Sequence, residues 1–502
     1  MASENSLEKF ELKEPGLFWW NDPAAPLGTI PHERAVHGQL EIGTTGLVSL
    51  ELDGTLSQSI IELFAIGQPL EKCIAGILND DNKRVLLLKV TRNGGTLGTR
   101  SREKFSATYC LVGQADVLSW ENAKNFYAMA ADLSTFGEFL TPSSIEVSKT
   151  RSSTKAIHKN KKDITLKLKE GLLDIQFRIS PKILYNFKSR QISLAETVTL
   201  FCRKRFGSLE AIVNEFTNLE DFFLLVLGME GGFPWPDVFF KSSSFPARLY
   251  FSRLERSGEK PNLAKTVLLL ADVRPYLSEV VDNWRTARET IGSGIYMYLG
   301  TRRGLKSYIE NNFSIMMMGL ESLHRSVGKT QVDEKLKTKI ERVISEVSLT
   351  KDKKWLSAIL RPAPNLKERL IELFSDLPLS ISKARLTNFA DECSRNRNDL
   401  QHFASTRADQ TYEQFAQRLV ELSRALSALY HLKILQIIGI HDNSLLWIFE
   451  KGYQSFSIRM DCWLAGLLEE DPRQAVQRQR PLMLSTNPSN SESEEASAPP
   501  QT

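Results

Sequence analysis

The run Arg395-Asn396-Arg397-Asn398-Asp399-Leu400-Gln401-His402-Phe403 gathers residue types suited to phosphodiester chemistry. A histidine titrating near neutrality can take the proton of a ribose 2′-hydroxyl or return one to a leaving oxygen. An arginine can grip a phosphate through two parallel hydrogen bonds and stabilise charge that develops on it. An asparagine can orient either partner, and the set requires no metal. At 100° per residue, Arg395, Asn398 and His402 share one helix face, while Arg397 lies about 40° from the apolar stripe. Spacing alone does not separate this arrangement from an ordinary solvated helix face.

The elements that would position these residues change character along the chain. In the first part apolar and polar residues alternate. Val48 to Leu52, Val85 to Val90 and Phe105 to Leu111 predict strands, punctuated by Gly54 and by Asn93-Gly94-Gly95. Ile164, Leu166 and Leu168, the turn Glu170-Gly171, and then Leu173, Ile175, Phe177 and Ile179 predict a hairpin. A short helical region is expected over 121–135. Lys149, Arg151, Lys155, Lys159, Lys161 and Lys162 then crowd into fourteen residues. Such a stretch is either a phosphate-binding loop or a solvated connection, and the absence of interleaved aromatic residues favours the second.

From about residue 210 the period becomes helical, with two strand-like interruptions at Leu249–Leu254 and Val267–Leu270. Ile309, Phe313, Met316, Leu320 and Leu323 form one stripe. Leu386, Phe389, Cys393, Leu400 and Phe403 form another, and Phe415, Leu419, Leu422, Leu426 and Leu429 a third. Stripes of this kind bury one face of each helix in a bundle. The expected fold class is therefore α+β. A β-rich, sandwich-like domain (1–208) leads through a mixed connector (209–300) to an all-helical bundle (301–470) and a polar, disordered tail (471–502).

Bulk properties exclude several classes. A formal charge of +4 over 502 residues permits a local nucleic-acid site without demanding one. Five cysteines, with no CxxC pair among them, argue against a disulfide framework and a thiolate zinc site. Neither a signal peptide nor an apolar run long enough to span a membrane is apparent, which predicts a cytoplasmic location. His32 and His37 could suggest a metal, but two loop histidines five apart are a weak basis for one, and no cofactor or metal is expected. Gly231 to Pro236 lacks the Lys-Ser/Thr of a phosphate-binding loop. Met316-Met317-Met318 reads as core packing.

Arg397-Asn398, followed after three residues by His402, resembles the R-x(4–6)-H signature of HEPN domains. Leu320-Glu321-Ser322-Leu323-His324 is similar to the first long helix of ApeA-like HEPN domains, where a glutamate faces the site. Trp19-Trp20, Gly38-Gln39-Leu40 and Val48–Leu52 resemble the ApeA N-terminal domain. The resemblance implies a bacterial anti-phage protein that cleaves RNA without a metal at a composite site between two HEPN copies. It implies abortive infection, with a phage-derived trigger sensed through the N-terminal domain. It makes Arg397, Asn398 and His402 the catalytic candidates, with Arg395 and Glu321 in support. It departs from the family in Phe403, where a small residue is common. A dimeric HEPN protein that binds without cutting, or a carbohydrate- or protein-binding β-module on a helical oligomerisation domain, are the alternatives.

Overall fold

The computed structural model describes residues 10–474 apart from interior stretches, the longest being 23–30, 115–125, 255–265 and 402–410. The chain forms two compact units. The first runs through Thr290 and takes in Arg302–Leu305 and Ile437–Ile440; the second comprises Ile291–Thr301, Lys306–Gln436 and the chain from His441 onward.

In the first unit, β1 (Phe10–Trp20), β2 (Val36–Gly43), β3 (Val48–Leu52), β4 (Ile74–Leu78), β5 (Arg84–Thr96) and β6 (Arg102–Gly113) are antiparallel neighbours in the order β6-β3-β2-β1-β4-β5. β5 also bonds β6 from Arg84↔Gly113 to Thr96↔Arg102, so the six strands close into a barrel. The β-rich region predicted from period-two patterning is present. Its form is a barrel continued by an open sheet rather than a sandwich, and the closing β5–β6 ladder leaves neither strand as a free edge. Phe18, Leu40, Leu50, Ile74, Val85 and Phe105 are fully buried in it. Gly16 and Gly38 let the backbones approach, since a Cβ at either would lie 2.5 or 2.6 Å from a facing carbonyl oxygen.

One charge pair is sealed into this unit. Arg92 Nε meets Glu103 Oε1 at 2.7 Å, and the two side chains are 3% and 0% exposed. The other demands of the carboxylate are met by the Leu56 amide (2.8 Å) and the hydroxyls of Thr55 (3.0 Å) and Ser57 (2.5 Å). Glu103 thus ties the segment after β3 to the barrel.

The sheet continues from β6 through β14 (Ala247–Phe251), β13 (Asp237–Phe240), β7 (Phe126–Asp132), β12 (Arg190–Phe206), β11 (Leu172–Tyr185) and β10 (Ile164–Lys167). The predicted β10–β11 hairpin forms with Ile164 opposite Ile175 and Leu166 opposite Leu173. Among the described residues β8 (Ile145–Lys149) and β9 (Thr154–His158) pair only with each other, so the basic stretch is partly a strand ribbon.

Within the predicted helical region 121–135, Phe126–Asp132 is instead a strand. It lies between β12 and β13 with most of its residues buried. Its alanine-rich run carries no alternation, so propensity alone misleads there. The second strand-like interruption leads into a single helical turn at Leu270–Val273, while the amides of Val267 and Leu268 bond the carbonyls of Leu227 and Val226. The stretch 209–300, read as a connector, supplies β13 and β14 to the main sheet.

Numbering only helices longer than one turn, α1 (Leu209–Leu227) starts at the Ser208 cap and stops at Gly228, whose φ of 71° is left-handed. α2 (Leu277–Ile291) donates from Trp284 Nε1 to the Asn218 carbonyl of α1 at 3.0 Å.

The second unit is helical: α3 (Ser293–Arg302), α4 (Ile309–Val327), α5 (Glu334–Glu346), α6 (Thr350–Ile359), α7 (Leu366–Ser375), α8 (Lys383–Gln401), α9 (Tyr412–Ile437), α10 (Asp442–Glu450) and α11 (Ser455–Leu464). α4, α7 and α8 pack on one another. Met316 and Met317 are core residues, whereas Met318 is 45% exposed. Tyr430 of α9 donates to the Gly294 carbonyl. All five cysteines are free thiols, and burial pushes Cys202 and Cys462 up to about 12. No described helix is long and apolar enough to cross a membrane.

Candidate active site

α8 carries the motif because its sequence divides cleanly by face. Leu386, Phe389, Ala390, Cys393 and Asn396 are buried. The Ser382 hydroxyl accepts from the Arg385 amide (3.4 Å) near the helix start. Asn396 turns inward and donates to the Glu392 carbonyl of the preceding turn at 3.0 Å, a structural role. Gln401 is the last described residue of α8, and His402 and Phe403 lie outside the described residues.

The two arginines part company. Arg395 is 57% exposed and pairs with Asp391 one turn earlier (2.7 Å). Asp391 also receives Lys367 Nζ at 2.9 Å, and Lys367, with Arg395 beside it, holds this carboxyl below its usual range. Arg397 is 22% exposed and reaches across to α4, where its Nη2 lies 3.6 Å from Glu321 Oε2. Its Nη1 donates to Asn398 Oδ1 at 3.3 Å, and Asn398 itself is exposed. The position beside the core stripe, which on an ideal wheel counts against Arg397, is what lets a long side chain span to the neighbouring helix.

Glu321 is the centre of the cluster. Its Oε1 takes Arg325 Nη2 at 2.6 Å and Arg369 Nη1 at 3.0 Å, while Arg397 approaches the other oxygen. Three guanidinium groups therefore share one carboxylate, which leaves excess positive charge at a partly covered site. Such a surface favours phosphate. Arg369 is the best fixed of the three. It begins one residue past the capping box of Asn365 and Glu368, and its Nε donates to the Pro364 carbonyl at 2.8 Å. Nearby on α4, His324 Nε2 lies 2.6 Å from Glu372 Oε2 of α7, with the imidazole 10% exposed.

Structure thus brings together Arg397, Asn398 and Glu321 and sets Arg395 apart on the open face. Arg369 and Arg325 are additions that sequence reasoning missed. Each sits in a charged amphipathic helix at unremarkable spacing, and only the packing of α4, α7 and α8 reveals their common partner. Arg325 alone carried a local signal, standing four residues after Glu321.

Residues 315–444 match the family model described as Apea-like HEPN. The chain carries an Apea-like HEPN domain. The match spans most of α4, all of α5 to α9 and the start of α10, so it contains Glu321, Arg369, Arg397 and His402. No curated protein and no solved structure matches the chain. HEPN membership supports a nuclease or other RNA-directed role for this domain.

Proposed function

We propose that the HEPN domain is an endoribonuclease whose active site is built from two copies of the chain, and that it acts in the cytoplasm in anti-phage defence through abortive infection. The observation that carries this reading is the anchoring of Arg397 to Glu321 inside the matched domain, in an arginine cluster with surplus positive charge.

The chemistry follows from the residue types. His402, as a neutral imidazole, removes the proton from a ribose 2′-hydroxyl, whose oxygen attacks the adjacent phosphorus. The bond from phosphorus to the 5′-oxygen breaks, and that oxygen takes a proton from an acid. The products are a 2′,3′-cyclic phosphate and a 5′-hydroxyl. Arg397 binds the phosphate and stabilises its developing charge, Asn398 orients Arg397 or the substrate, and Arg395 contacts a flanking phosphate. Base and acid are two roles, while one motif offers one histidine. A second copy of the motif supplies the other.

RNA incubated with purified protein in EDTA, with the ends mapped, tests the reading. Wild type should cut and leave 2′,3′-cyclic phosphate ends, and His402→Ala should lose about 10²-fold or more of the rate. Equal cutting by both proteins would refute a site at His402. If neither cuts, including after addition of infected-cell lysate to provide the trigger, the HEPN domain is a non-catalytic binding module.

A further inference from the structure

The basic stretch after β7 lacks aromatic residues in sequence, yet the fold brings one to it. Its first part is the β8–β9 ribbon, with Ile145 opposite His158 and Lys149 opposite Thr154. Among the described residues this ribbon bonds no other strand, and both faces are exposed along nearly its whole length. A two-stranded ribbon with no buried face gains little from packing, so its composition is free to serve another end. Arg151 sits in the turn, and Lys149 and Lys155 flank it.

At the foot of the ribbon lies a cavity of about 680 Å³, whose lining includes His158, Lys161, Lys162, Phe177 and Arg178. Lys161 Nζ stands 5.2 Å from the centroid of the Phe177 ring, which comes from β11. Among the described residues three carboxylates lie here and each has a partner: Glu146 is held by Lys159 at 2.7 Å, Asp163 by Arg178 in a two-pronged pair at 2.8 and 3.0 Å, and Glu196 accepts from the Ser144 amide at 3.0 Å. Among the described residues, Lys149, Arg151, Lys155, Lys161 and Lys162 have no carboxylate partner.

We propose that the β8–β9 ribbon and the cavity at its foot bind single-stranded nucleic acid, with a base stacked on Phe177 and phosphates held by Lys161, Lys162 and the cations of the ribbon. A cavity this size admits a nucleotide unit. The juxtaposition of a ring with surrounding ammonium groups is what a strand with alternating bases and phosphates requires. An acidic peptide would use the cations but has no need of the ring. The site lies in the first unit, outside the HEPN domain, and the proposal does not depend on cleavage.

Fluorescence anisotropy of a labelled single-stranded RNA of mixed sequence tests it, using full-length protein carrying His402→Ala so that the strand persists. Lys161→Glu with Lys162→Glu should weaken binding at least tenfold and reduce the slope of log affinity against log salt by about 1.4, the value for two lost phosphate contacts. Phe177→Leu should weaken binding about tenfold while leaving the salt slope in place. The same charge change at Lys72 and Lys241 should leave both quantities close to the parent. Unchanged affinity and slope in the Lys161/Lys162 variant, with an unaltered melting curve, would overturn the proposal. Polyglutamate displacing the RNA as well as unlabelled RNA does, with no effect of Phe177→Leu, would also overturn it and assign the patch to an acidic protein partner. Because binding is read directly, failure of the nuclease reading leaves this test intact.

Discussion

Glu321 holds a single carboxylate among Arg325, Arg369 and Arg397, and the consequence falls on Arg397. Of the three, only Arg397 belongs to the motif, and its distance from Glu321 is the longest. Glu321→Gln keeps the shape but removes the charge that restrains it. We expect RNA cleavage to fall about 10- to 100-fold, because displacement of a phosphate-binding group by about 1 Å can cost that much. The thermal midpoint should move little, since the cluster is partly exposed. A lower midpoint with unchanged cleavage would make Glu321 a structural residue only. Arg397→Lys should lose a similar factor, because an ammonium cannot reproduce the planar fork. At this scale legibility was uneven. The motif residues and Glu321 could be read through a family resemblance, and the choice of Arg397 over Arg395 came from that resemblance against an ideal wheel. Arg369 could not be read, because nothing in Leu366–Ser375 distinguishes it from a solvated cation until three helices are packed.

Between elements, α8 is held by an arginine of α9. Arg418 pairs with Glu392 through two parallel hydrogen bonds of 2.7 and 2.8 Å, and its Nη1 also donates to the Leu464 carbonyl of α11 at 2.8 Å. Arg418→Met should lower unfolding free energy by about 2 kcal/mol, as for a charged hydrogen-bond set at a half-covered site. A urea midpoint shift at constant slope would show it, and no shift would mean that water replaces the pair without cost. α4 and α9 approach at Gly319, where a Cβ would come within 2.6 Å of Tyr430 Oη. In α1, Glu210 of the first turn pairs with Lys89, which holds its carboxyl down to about 2. A depressed carboxyl stabilises the fold above its ordinary pKa, and that contribution is lost as pH falls from about 4.5 to about 2. Acid unfolding of Glu210→Gln should therefore be less steep across this window, and an identical acid profile would exclude the contribution. Amphipathic stripes made the long helices legible. Phe126–Asp132 was not, because a central strand buried on both faces has no alternation to read.

At the scale of the whole molecule, a β-rich part followed by a mostly helical part is legible from the change of period near residue 210. The first unit nevertheless runs on through Thr290 and keeps α1 and most of α2, and the closure of the barrel is not legible either. β4, β5 and β6 follow one another as hairpins, but closure also needs β3 to find β6 (Val48↔Ala107, Leu52↔Glu103) and β1 to find β4 (Gly16↔Leu78), pairings of distant segments that local patterning does not encode. The largest claim at this scale is that cleavage needs two chains. In the proposed two-fold symmetric pair the same surface would serve both subunits, so each subunit would bring its own Arg397 and His402 to a shared site. Tagged His402→Ala protein mixed with wild type at equal amounts, and left until pull-down shows full exchange, then decides the matter. If both histidines are required, only wild-type pairs cut, and random pairing leaves about one quarter of them. Activity should follow the square of the wild-type fraction. A linear dependence, with exchange demonstrated, would mean that one chain's motif works alone, and the roles of acid and base would then have to be found within a single subunit.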